Sequence, residues 1–98
     1  MTPRELAEDL SSVIDPELGV DIVSLGLIYG IDIEPDTVTL RMTLTSPDCP
    51  MGDLLASMAA SKVRHAARDR RADIEIVDDP PWSPGMMNET AMRQLGIR

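Results

Sequence analysis

The 98 residues include 17 acidic and 9 basic side chains, a net charge of −8. That balance excludes nonspecific DNA or RNA binding, which needs a basic face. The single cysteine, Cys49, excludes an internal disulfide framework, a Cys-x-x-Cys redox pair and a self-contained Cys-rich zinc site, and it suits a reducing compartment. A chain of this length is expected to form one domain, 1–98, with one modest core. Phe is absent and Trp82 and Tyr29 are the only aromatics, so that core rests on Leu, Ile, Val, Met and Ala. No window approaches about 18 uninterrupted apolar residues, and no basic segment leads into an apolar one. The expected location is the cytoplasm.

Thr2, Pro3 and Glu5 form a capping box that opens a first helix. Leu6, Leu10 and Val13, with Ala7 and Ile14 beside them, make its apolar stripe. Pro16 disfavours helical geometry at Asp15, which predicts a helix end near Ile14. Asp15-Pro16-Glu17-Leu18-Gly19 reads as a turn. Taken by itself, its spacing fits an Asx-type turn with a solvated Glu17. Val20 to Gly26 has no clean period and reads as an irregular or single-turn connection closed by Gly26.

Leu27 to Glu34 alternates, with Leu27, Tyr29, Ile31 and Ile33 on one face and Ile28, Gly30, Asp32 and Glu34 on the other. A tight turn at Glu34-Pro35-Asp36-Thr37 follows. The second strand directs Val38, Leu40, Met42 and Leu44 inward. The pair is expected as an antiparallel hairpin with one face buried. Met51 to about Arg68 is the main helix, with Met51, Leu54, Leu55, Met58, Ala59, Val63 and Ala66 on its apolar face. The basic run Lys62 to Arg71 fits the last turn of that helix and its exit, where cations are favourable. Asp73 to Val77 is a third short strand with Ile74 and Ile76 inward.

Three prolines within Pro80 to Pro84 exclude regular structure there. Trp82 is expected to lid an edge of the core, with a place in a binding site as the alternative. Asn88 caps a last helix, Met87 and Met92 are spaced as a hydrophobic staple, and Gly96 closes it. The order α-β-β-α-β-α with amphipathic strands predicts a two-layer α+β domain with a three-stranded mixed sheet. A right-handed crossover sets the third strand parallel to the second.

Cys49 lies in Thr45-Ser46-Pro47-Asp48-Cys49-Pro50, where the strand pattern gives way to the helical one. That places it in the cap region or first turn of the main helix, with Asp48 and Pro50 as competing capping residues. Free N–H groups and the helix dipole there favour the thiolate. A small buried hydrophobe is the other reading of a lone cysteine. The only histidine, His65, lies sixteen residues further along the same helix, roughly 24 Å away at the helical rise. A Cys–His dyad within one chain is thereby excluded. No Gly-x-Ser-x-Gly, Gly-x-Gly-x-x-Gly or Walker loop is present. What remains is a thiol that binds metal or attacks, with carboxylates and hydroxyls nearby.

Five motifs in order, Asp15 to Gly19, Ile22 to Tyr29, Thr45 to Pro50, Pro81-Trp82 and Leu95-Gly96, resemble the MIP18 (DUF59) family over nearly the whole chain. The resemblance implies an iron–sulfur cluster assembly type of domain and a role in building or delivering clusters. It implies that Asp15, Glu17, Thr45, Ser46 and Cys49 lie together at one end of the sheet, with Cys49 central. Ser46 stands where many relatives have Thr, which keeps a hydroxyl. The chain ends at Arg98 without the cysteine-rich segment of the PaaD-like members, so the shorter SufT-like type is expected. A cluster needs about four protein ligands, mostly thiolates, so one Cys per chain holds none stably alone. The open arrangements are a labile cluster or iron shared between the chains of a homodimer, and an adaptor without a cluster. The expected partners are assembly machinery and client apo-proteins, with neither nucleic acid nor membrane among them. A cluster-assembly factor rather than an enzyme is the first function class. A stand-alone thiol enzyme or an auxiliary oxygenase subunit is the second. The Asp15-Pro16-Glu17 turn is expected to pack on the Thr45–Cys49 loop, with one carboxylate accepting hydrogen bonds from it and the other near the sulfur.

Overall fold

The computed structural model describes residues 1–45 and 52–96. The expectations for Ser46, Asp48, Cys49, Pro50 and Met51 lie outside those residues. Helix α1 spans Pro3–Leu10, strands β1 and β2 span Ile28–Ile33 and Thr37–Met42, helix α2 spans Gly52–Ala67, strand β3 spans Arg71–Ile76 and helix α3 spans Glu89–Leu95. The sheet order is β1-β2-β3. β1 pairs antiparallel with β2, and β3 parallel with it. This is the expected two-layer α+β architecture. α2 packs across β2 and β3, and α1 against α2 and β1.

β2 lies at the centre of the sheet. Val38, Leu40 and Met42 are fully buried beneath the helices, while Thr37, Thr39 and Arg41 alternate on the open face. Burying each such aliphatic side chain contributes roughly 1.5–3 kcal/mol. Facing them on α2, the buried stripe is Gly52, Leu55, Ala59, Val63 and Ala67. Gly52 leaves room for Leu44, whose side chain fills the space a Cβ would take. Leu54, expected on this stripe, is 46% exposed. The buried positions advance by 3, 4, 4 and 4 residues, a narrower face than the sequence suggested.

α1 begins as expected, with Thr2 Oγ1 accepting the N–H of Glu5. It stops at Leu10, four residues before Ile14. Ser11 and Ser12 turn their hydroxyls onto the carbonyls of Glu8 and Asp9, the local competition that ends helices at such residues. A short antiparallel bridge then joins Ile14 to Asp21. The N–H of Asp15 donates to the Val20 carbonyl at 2.9 Å, and that of Ile22 to the Val13 carbonyl at 3.0 Å. Val13 stays in the core, but Ile14 is exposed.

β1 departs from strict alternation. Its register shifts between Ile28 and Gly30, which sets Ile28 beside the buried Met42 and packs it against the core. Tyr29, expected on the core face, instead donates its hydroxyl to the Pro80 carbonyl at 2.7 Å. A bulge re-aims one side chain in this way. Beyond the shift, Ile31 and Ile33 face the core as expected. Ile74 also packs on the core, but Ile76 is 49% exposed at the end of β3.

Residues 78–88 are irregular except for one 3-10 turn, Pro84–Met86. Trp82 packs against the core edge. Asn88 Oδ1 accepts the N–H of Ala91 to start α3, and Gly96 ends it in the left-handed region. No helix among the described residues is long and apolar enough to cross a membrane.

Candidate functional site

The strand directions bring three connections to one end of the sheet. The segment entering β1, the segment leaving β2 and the segment leaving β3 all meet where Ile28, Met42 and Ile76 align. Backbone bonds sew them together. Thr43 N–H donates to the Leu27 carbonyl at 2.8 Å, and Val77 N–H to the Met42 carbonyl at 2.8 Å. Asn88 N–H reaches the Ser24 carbonyl at 2.9 Å. The Trp82 indole donates to the Leu25 carbonyl at 2.7 Å. Trp82 closes the core edge as expected, and it also lines a cavity of about 430 Å³ with Leu44, Thr45, Ile76 and Pro81.

Gly26 holds this junction tight. Its φ of +80° lies in the left-handed region, and an added Cβ would run into the Met86 carbonyl. Only a residue without a side chain meets both demands.

Asp15 is 1% exposed. Its Oδ1 accepts the N–H of Glu17 at 2.8 Å and of Leu18 at 3.2 Å, the Asx turn that the spacing suggested. Its Oδ2 is buried and finds no hydrogen-bond partner among the described residues. Burying a carboxyl oxygen away from water costs free energy unless the oxygen is paired. Glu17, on the same turn, is exposed. A second Asx turn follows, which the sequence reading did not single out. Asp21 Oδ2 accepts the N–H of Ser24 at 2.9 Å, and an Asp three residues ahead of a Ser in a connection was the available signal.

Of the residues named from the sequence, Asp15 and Glu17 thus share one turn in the segment that leads into β1. Thr45 is half-buried on the cavity wall in the segment that leaves β2. Ser46 and Cys49 lie outside the described residues, as does the relation of Glu17 to the sulfur. Among the described residues, no three His, Cys, Asp or Glu side chains are grouped to hold a metal ion.

The profile of a family described as iron–sulfur cluster assembly protein matches residues 4–76. The chain is 38% identical over 97 residues to an Fe-S protein maturation auxiliary factor of Porphyromonas gingivalis, covering 98% of this chain and 92% of that one. It is 41% identical over 86 residues to the auxiliary factor SufT of Staphylococcus aureus, covering 87% and 98%. A solved DUF59 domain from Bacillus anthracis superposes with a TM-score of 0.88 at 37% identity, covering 97% of this chain and 92% of that one.

Proposed function

The chain belongs to the iron–sulfur cluster assembly protein family, and from that premise we propose that it builds or delivers iron–sulfur clusters for client proteins. The cluster or iron is its cargo, and Cys49 is the residue that takes it. Asp15, Glu17, Thr45 and Ser46 serve the same site. The supporting relatives are named as maturation auxiliary factors rather than as enzymes.

The observation that supports the reading is Asp15 Oδ2, which is buried and has no hydrogen-bond partner among the described residues. A fold pressed only toward stability would pair or remove such an oxygen. A cation near it would relieve the penalty. Hard carboxylate oxygens beside a soft thiolate are also a donor set that accepts iron. The local division of labour follows. Oδ1 fixes the turn through two N–H groups, and that turn presents Glu17. Thr45 contributes a hydroxyl at the cavity wall. One thiolate per chain makes the hold labile, which suits a protein that passes its cargo on.

Anaerobic reconstitution with ferrous iron and sulfide, followed by visible absorption, tests the proposal. Charge-transfer bands in the native chain and none in Cys49→Ala, with both equally folded, is the expected result. Equal colour in both would remove Cys49 from the role.

A further inference from the structure

The sheet has two outer edges, and they are built differently. β1 carries the bulge at Ile28–Gly30, which twists an edge away from new partners. β3 has six residues in unbroken parallel register with β2. The N–H groups of Arg71 and Val77 donate to the Asp36 and Met42 carbonyls on the β2 side. Strand alternation therefore points the N–H and carbonyl groups of Ala72, Ile74 and Ile76 to the opposite side. No described strand pairs there, and no backbone bond to those three from outside the sheet occurs among the described residues.

The two faces flanking that edge differ in chemistry. On the helix side, Ile76 is 49% exposed, and Leu54 in the first turn of α2 is 46% exposed. On the open side stand Asp73 and Glu75, followed by Asp78 and Asp79 just past the strand. Two cations share that side, Arg71 paired with Asp73 at 3.0 Å and Arg41 of β2 opposite Glu75 in register and attracted by it, and the four acids outnumber them. The edge thus offers outward backbone groups, unpaired among the described residues, between the half-exposed Ile76 and an acidic face.

We propose that β3 is a docking edge for an extended segment of a partner protein in which basic residues alternate with apolar ones. The segment adds as a fourth strand. Its apolar side chains cover Ile76 on the helix side, and its basic side chains face Asp73 and Glu75. A second copy of this chain is the wrong occupant. The antiparallel register that pairs all three outward residues of β3 with those of a copy is centred on Ile74, and it sets Asp73 opposite Glu75 of the copy twice. Like charges directly opposite are destabilising. The edge ends at Ile76, on the wall of the cavity that Thr45 also lines, so a docked strand runs up to the end of the sheet. The inference does not depend on what that end binds.

The test uses the full chain and two ten-residue probe peptides, one alternating Lys with Val and Ile, the other Glu with Val and Ile. Fluorescence anisotropy at low salt reads affinity, and amide hydrogen exchange reads the contact. The Lys peptide is expected to bind, weaken with added salt, and protect the amides of Ala72, Ile74 and Ile76. Glu75→Lys should weaken the Lys peptide about tenfold and strengthen the Glu peptide by a similar factor, since one cross-strand pair changes sign. Ile76→Pro removes one outward N–H while leaving the β2 ladder intact, and should also weaken binding. The proposal is overturned by three outcomes: no discrimination between the peptides, no exchange of preference in Glu75→Lys, or a homodimer that protects the same amides without peptide.

Discussion

The middle of the sheet and its loop end are made to different standards. In the middle, Val38, Leu40 and Met42 are sealed under α2, and the polar residues alternate outward. At the loop end, Gly26 is pressed against a carbonyl at positive φ, and in the segment that leads into β1 Asp15 is buried with one oxygen unpaired among the described residues. Ile76 is left half open to solvent at the end of β3. The first region accounts for why the chain folds. The second keeps costs that folding alone would have removed, and such costs collect at functional sites.

Substitutions separate the two. Leu40→Ala should have the largest effect on stability, about 2–5 kcal/mol by chemical denaturation. Any loss of iron binding should track the unfolded fraction. Gly26→Ala comes next, at roughly 2–4 kcal/mol, because it adds a backbone clash to an unfavourable φ. Gly19→Ala is its control. Gly19 also has positive φ, at +70°, but nothing lies within 4 Å of an added Cβ, so only about 1 kcal/mol should be lost. A Gly19→Ala as damaging as Gly26→Ala would show that strain, and not the approach of Met86, sets the cost.

Trp82→Phe keeps the ring against the core edge and removes the bond to the Leu25 carbonyl. A buried acceptor then loses its donor, so about 1–2 kcal/mol should go. In a thermal melt that is several degrees for a chain of this size. No change in the melt would mean that water replaces the indole and that the loop is not fastened there.

The regular parts of this contrast were legible in the sequence. β2 and the caps at Thr2, Asn88 and Gly96 could be read because alternation and capping are local signals. The parallel placement of β3 followed from the handedness of the crossover. Three misreadings share a cause. Ile14 looked helical, Tyr29 looked core-facing and Leu54 looked buried because each fits its local period. A one-residue bridge to Asp21, a bulge opposite Met42 and the narrow contact face of α2 overrode that period. None of these leaves a repeating pattern. The Asx turn at Asp15 was readable from spacing, but the burial of its second oxygen was not, since burial depends on what the rest of the chain lays over it.

Asp15 gives the most direct test, because Asp15→Asn should have the smallest effect on stability and a large one on binding. Asparagine keeps the oxygen that accepts the Glu17 and Leu18 N–H groups, so denaturation should shift by no more than about 1 kcal/mol. Anaerobic titration of ferrous iron into the native chain and into Asp15→Asn, followed by calorimetry, is the deciding measurement. The account predicts iron affinity at least about tenfold weaker in Asp15→Asn, with Asp21→Asn unchanged as the control. Equal affinity in all three chains would contradict it, and would make the burial of Asp15 Oδ2 a matter of packing rather than part of the site.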